Sequence, residues 1–263
     1  MSHTPDWTEL ARTWATGPLR LGLEWRAGVE WGAFMSLYPL LQLMPPGDGH
    51  PVLIYPYLFG TDLTTQPLRE ALERIGYRTH SWEQGLNLGP RAGVMEAARE
   101  RLLAVHRRYG RKVSLIGWSA GGLYARELAK EMPDAVRQVI TLGTPITGFQ
   151  KPADTWRMVE QLIGEAFGLP ESNGPLDAAP PVPTTAIFSR TDGIVPWRDS
   201  YQAKGPLCEN IEVESSHLGL GFHPLALFAI ADRLAQPEDA WQPFVRDGVK
   251  AAFYPDPDRD GWL

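Results

Sequence analysis

The chain has 263 residues, 43% of them apolar, and carries a net charge of −6 with no basic stretch. That apolar share is ample for a buried core, and the acidic balance argues against nucleic acid as a partner and against electrostatic docking on anionic membranes. A single cysteine, Cys208, excludes an internal disulfide framework; with no signal-peptide pattern and no stretch approaching a membrane span, the sequence points to the cytoplasm.

Residues 1–49 read as an N-terminal helical extension rich in Trp, Leu and Gly, including Trp7, Trp14, Trp25 and Trp31. Its apolar stripe is expected to pack on the rest of the chain or on a second subunit. A membrane or lipid surface is the alternative, weakened by the sparse lysine and arginine. From residue 50 strands and helices alternate: strand 51–55, helix 67–75, strand 77–82, helix 91–109, strand 112–116. The next helix turns Leu123, Leu128 and Met132 inward and Arg126, Glu127 and Lys130 toward water. Strand 136–141, a long excursion, strands 185–188 and 211–214 and a last helix 225–234 complete the domain, which spans 50–263. Strands separated by helices predict an α/β fold with a mostly parallel central sheet covered on both faces. The excursion reads as a cap insertion at about 149–183. There Trp156, Met158, Val159, Leu162, Ile163 and Phe167 lie close to helical spacing, suiting a helix that lines an acyl pocket or one that roofs the core. The tail, 255–263, reads as a solvated terminus.

The most specific signal is Ile116-Gly117-Trp118-Ser119-Ala120-Gly121-Gly122, a serine between glycines where an apolar strand gives way to a helix. A turn this sharp leaves no room for a Cβ at Gly117 or Gly121, and it lifts the Ser119 hydroxyl above the sheet edge. The helix that starts there aims unpaired N–H groups at the site, with Ala120 N–H the natural first oxyanion donor. A serine hydroxyl is a poor nucleophile near neutral pH, so this reading requires a histidine base and an orienting carboxylate. Asp192 follows the strand ending at Phe188, and His217 follows the strand ending at Glu214, so both arrive at the C-terminal edge of a parallel sheet, where catalytic groups converge. The competitors fit less well. Asp199 lies beyond Pro196 and is expected to cap a turn, Asp177 lies in a proline-rich loop, and His223 precedes Pro224 where a helix starts. His50, His80 and His106 precede Ser119 and are expected to pack, cap or face water, and His3 is in the terminus.

Together, Gly117-Trp118-Ser119-Ala120-Gly121-Gly122, Leu142-Gly143-Thr144-Pro145, the run 189–197 around Asp192, and Ser215-Ser216-His217 resemble the α/β-hydrolases of the bacterial lipase and esterase kind, over about 50–241. The resemblance implies a two-step acyl transfer without metal or organic cofactor: Ser119 attacks an ester carbonyl, His217 shuttles the proton, and Asp192 holds the imidazole. It also implies a substrate pocket beside the serine, lined by Tyr57, Trp118, Thr144 and Pro145. One departure concerns the oxyanion hole. Such enzymes usually carry His-Gly and an apolar residue after the first core strand, where this chain has Pro56-Tyr57-Leu58. Leu58 N–H is the matched second donor; Tyr57 either packs, or sets its phenol over the site and donates to the oxyanion itself. The expected activity is hydrolysis of carboxylic esters with a hydrophobic, lipid-like acyl group. An acyltransferase or thioesterase using the same serine, and a catalytically silent binding protein on the same fold, are the alternatives.

Overall fold

The computed structural model describes residues 22–147 and 174–259. Six strands form one sheet, β1 (Pro51–Tyr55), β2 (Arg78–Ser81), β3 (Val113–Trp118), β4 (Val136–Leu142), β5 (Thr184–Phe188) and β6 (Cys208–Glu212), in the order β2-β1-β3-β4-β5-β6. Every neighbouring pair runs parallel. Strand direction reverses its march across the sheet between β1 and β3, the switch point beside which α/β sheets open a crevice.

The period-two alternation of each strand divides the interior in two. Val52 and Ile54 of β1, with Ile116, Ile140, Ile187 and Ile211, join one core. That core is covered by α1 (Ala27–Leu37), α2 (Gln66–Arg74) and α5 (Pro224–Leu234) through Phe34, Leu68, Leu72, Leu227 and Ile230. Leu53 and Tyr55, with Val113, Leu115 and Val139, join the second, under α3 (Val94–Tyr109) and α4 (Ala120–Glu131). Preceding and following α1 are short 3₁₀ turns, Gly22–Arg26 and Tyr38–Leu43. Trp31 meets Phe222 edge-on at 5.4 Å, so this part of the N-terminal region packs on the domain; residues 1–21, with Trp7 and Trp14, lie outside the described residues. So does 148–173, most of the expected cap insertion, with its helical pattern from Trp156 to Phe167. Among the described residues no helix is long and apolar enough to cross a membrane.

Four local expectations need correction. Arg126 and Glu127 do not face water: they are 0% and 2% exposed, because the returning segment after residue 174 covers that side of α4. Arg126 donates to the carbonyls of Leu176, Asp177 and Ala178, at 3.0 to 3.3 Å, and Lys130 pairs with Glu127 at 2.7 Å. Helix α3 starts at Val94, three residues late, since Gly93 has φ +84°, outside helical space. Strand β6 ends at Glu212, because Ser215 N–H is taken by Ser189 Oγ (3.1 Å) and Ser216 N–H by Glu30 (2.8 Å). The tail is docked as far as Arg259, which pairs with Glu212 at 2.6 Å, while Arg190 donates to Pro257 O at 3.1 Å.

A polar cluster around the buried His50 closes the N-terminal edge of the sheet. His50 Nδ1 bonds Asp48, His50 Nε2 accepts from Ser114 Oγ at 2.9 Å, and Arg111 and Arg137 reach Asp48 Oδ2 at 2.6 and 3.3 Å. Burial, joined by the nearby charge of Arg137, pushes His50 down to about 4 against the pull of Asp48. An unfolded imidazole takes up a proton below its ordinary 6.5, whereas the folded one resists until about 4. His50 therefore costs no stability above that upper value and costs up to roughly 3 kcal/mol as pH falls to the lower one. Urea unfolding followed from neutral pH to pH 4 should show a falling midpoint in the parent and a shallower fall in His50→Gln; equal slopes would count against this account.

Candidate active site

Strand β3 runs into α4 through one residue, Ser119, with φ 52° and ψ −122°. Non-glycine residues rarely adopt positive φ, and such strain persists only where the surroundings over-determine it. Here Ser119 N–H donates to Leu142 O at 2.7 Å, and Ser119 O accepts from Gly122 N–H at 2.9 Å. The flanking glycines are set by contact distance. A Cβ on Gly117 would lie 2.2 Å from Gly122 Cα, and one on Gly121 would lie 2.4 Å from Tyr55 O. Gly122 is equally constrained, its would-be Cβ falling 2.0 Å from Thr144 Oγ1. Thr144 and Pro145 are buried at the back of this turn.

Asp192 and His217 meet at the same edge. His217 Nδ1–H donates to Asp192 Oδ2 at 2.6 Å, and Asp192 Oδ1 accepts from Ile194 N–H (2.8 Å) and Val195 N–H (2.7 Å), which fixes the carboxylate plane. The pair sits against Gly143, φ +55°, where a Cβ would stand 3.0 Å from His217 Nδ1 and 3.1 Å from Asp192 Oδ2. Both side chains are almost wholly buried. Burial disfavours the imidazolium, but the charge of Asp192, its hydrogen bond and the charge of Glu24 outweigh that, and the His217 pKa is raised. No hydrogen bond joins Ser119 Oγ to His217 among the described residues; such contacts are often long before substrate arrives. The edge thus gathers the hydroxyl of a strained turn, itself only 5% exposed, a basic imidazole and an oriented carboxylate, the parts an acyl transfer needs.

The other candidates go elsewhere. His223 caps α5, its Nδ1 accepting from Leu225 N–H at 3.2 Å. His80 meets Tyr109 Oη at 3.1 Å and His106 bonds Arg111 O at 2.9 Å. Asp199 accepts from Thr147 Oγ1 at 3.4 Å.

Beside Ser119 lies the loop following β1. Tyr57 packs edge-on against Trp118, ring centroids 4.7 Å apart, and Trp118 is itself buried, its Nε1–H donating to His217 O at 3.1 Å. Among the described residues Leu58 N–H has no acceptor within the protein, whereas its neighbour Phe59 N–H is spent on Asn87 O at 2.6 Å. Ala120, the other donor expected from the sequence, opens α4 directly after Ser119. Asn87, fully buried, fastens the loop: its N–H donates to Gly60 O (2.9 Å), its Nδ2 to Pro56 O (2.8 Å), and its Oδ1 accepts from Tyr124 Oη (2.9 Å) and Gly89 N–H (3.0 Å).

Four contributors escape a reading of the sequence: Asn87, Gly143, and the N-terminal carboxylates Glu24 and Glu30, which bond the His217 loop. Gly143 stands in a visible Leu-Gly-Thr-Pro motif. Nothing local marks the other three, since each acts on chain distant from itself.

No protein-family model and no curated protein sequence matches the chain. Solved structures do resemble it. Lipase B of Aspergillus fumigatus superposes with a TM-score of 0.57 at 18% identity, over 73% of this chain and 54% of that one, so this chain spans about half that lipase's length. The pyrethroid hydrolase PytH gives 0.51 at 19%, over 73% and 99%. An α/β-hydrolase enzyme from the sediment metagenome of the Mar Chica lagoon, Morocco, gives 0.50 at 18%, over 71% and 90%.

Truncating Asn87 to Ala strands a carbonyl, a phenol and a backbone N–H in the interior. At about 1 kcal/mol or more for each unsatisfied group, Asn87→Ala should lower unfolding free energy in urea by about 3 kcal/mol. A change below about 1 kcal/mol would remove Asn87 as the anchor of this loop.

Proposed function

The chain has the α/β-hydrolase fold, and from that premise we propose that it is a serine hydrolase that cleaves carboxylic esters through an acyl-enzyme on Ser119. The observation that carries the reading is the 2.6 Å Asp192–His217 pair at the sheet edge that also bears Ser119 in its strained turn. With Nδ1–H given to Asp192, the neutral imidazole presents Nε2 as the base. Ser119 Oγ attacks the carbonyl carbon and its proton passes to Nε2; Asp192 stabilises the imidazolium without taking the proton. The carbonyl oxygen becomes an oxyanion, met by the N–H groups of Ala120 and Leu58, an arrangement in which each donor typically contributes on the order of a hundredfold or more in rate. Collapse breaks the ester C–O bond, and the alkoxide leaves with the proton from Nε2. Water then attacks the acyl-enzyme, giving its proton to Nε2, and the second collapse returns that proton to Ser119 Oγ as the acid departs. An alcohol in place of water at this step yields a new ester.

A hydrophobic acyl preference is favoured by the apolar side chains exposed around the loop after β1 and its Asn87 anchor, Phe59, Leu63 and Leu86. The packing of Tyr57 on Trp118 favours the backbone donors over its phenol as partners of the oxyanion.

A fluorophosphonate probe should label the parent protein and not Ser119→Ala, and nitrophenyl esters of increasing chain length should be hydrolysed by the parent alone, with product analysis under added alcohols measuring transfer. Since the His217 pKa is raised, the acid limb of kcat/KM should lie above the ordinary imidazole range, activity being lost as pH falls through it. A folded parent that neither labels nor turns over these esters would refute the assignment and favour a binding role.

A further inference from the structure

Three backbone N–H groups from two loops converge on one side chain of the N-terminal segment. Glu24 Oε1 accepts from Gly193 N–H and from His217 N–H, each at 2.9 Å, and Glu24 Oε2 accepts from Leu218 N–H at 3.0 Å. Gly193 directly follows the acid and His217 is the base, so one carboxylate bridges the two loops whose side chains must meet. Its neighbours extend the grip. Arg26 Nη2 donates to Thr191 O (3.0 Å) and Thr191 Oγ1 (3.1 Å), on the other side of Asp192. Glu30, buried, accepts from Ser216 N–H (2.8 Å) and from the Ser216 hydroxyl, which in turn accepts from Gly219 N–H at 2.9 Å. A side chain at Gly219 would abolish this packing, its Cβ falling 1.7 Å from Glu30 Oε2. Hydrogen bonds to an ionised acceptor are about twice as strong as neutral ones, so the bridge is firm enough to set loop geometry.

Resting on the serine-hydrolase reading above, we propose that Glu24 is a positioning residue for the reaction, holding the loops of Asp192 and His217 in register from outside the hydrolase core. It acts electrostatically as well. The charged and titratable groups around His217 are Asp192 after β5 and Glu24 in the first 3₁₀ turn, then Glu30 and Arg26 one hydrogen bond further out, with His223 and Glu214 on its own stretch of chain. Of these, Asp192 contributes most to holding the imidazole basic and Glu24 adds to it.

The test uses the full chain, nitrophenyl butyrate, a fluorophosphonate probe, and the variants E24Q and E24D. Gln keeps the shape, removes the charge and sets an NH₂ against a backbone N–H. Asp keeps the charge and withdraws it by one methylene. E24Q should lose on the order of 10- to 100-fold in kcat with KM little changed, as misplaced catalytic groups do, and its acid limb of kcat/KM should move to lower pH. E24D should lose kcat while its limb stays near the parent's. Parental kcat and limb in both variants would overturn the proposal, as would a loss in E24Q that merely follows a lower melting temperature with the limb unmoved. Should E24Q not fold, E24D decides alone, and parental kcat there overturns it. A parent without labelling or turnover fails at Ser119 itself, and the positioning role falls with it.

Discussion

The geometry of the candidate site depends on how closely four stretches of backbone approach one another at the sheet's C-terminal edge. The loop after β1, the end of β3, the first turn of α4 and the segment after β4 approach closely, which the missing side chains of Gly117, Gly121, Gly122 and Gly143 make feasible. Any Cβ at the first three would enter another residue's backbone or the buried Thr144. That closeness forces Ser119 into its left-handed backbone conformation and brings the His217–Asp192 pair against Gly143. Packing at interior density thus converts absent side chains into a fixed position for the Ser119 side chain.

Among the described residues two Ser, His and Asp groupings stand in contrast. Ser114, His50 and Asp48 are linked by hydrogen bonds, yet they lie at the N-terminal edge of the sheet with His50 and Ser114 fully buried. There Arg137 and desolvation act together, and His50 is driven down. At the opposite edge His217 is just as buried but faces Asp192 and Glu24, and its pKa moves up. Helix α4 also begins at that second edge, directly after Ser119. His50 is a structural tie between strands; His217 has the surroundings of a base.

What the sequence makes legible follows from the range of the interactions involved. The serine turn, the strand leading to Asp192 and the segment leading to His217 are written in short runs whose periodicity and glycine spacing are local, so the sheet, its parallel sense and the acid–base pair could be read from them. One boundary moved where backbone groups had distant partners: β6 stops early as Ser189 and Glu30 claim the N–H groups of Ser215 and Ser216. The side of α4 bearing Arg126 looked solvated because a charged residue is normally exposed, yet three carbonyls some 50 residues onward hold it in the interior. Asn87, Glu24 and Glu30 escaped for the same reason, being ordinary polar residues until the fold supplies their partners.

The bond from Glu24 to His217 joins residues 193 positions apart, and this separation orders events during synthesis. The amino-terminal carboxylates leave the ribosome first and find their acceptor-seeking amides only when nearly the whole sheet has been translated, roughly ten to forty seconds later at ordinary elongation speeds. Until then no nascent intermediate can hold Asp192 and His217 in their final relation. The tie between the amino-terminal segment and the loop after β6 therefore becomes available only once all six strands of the sheet have been made.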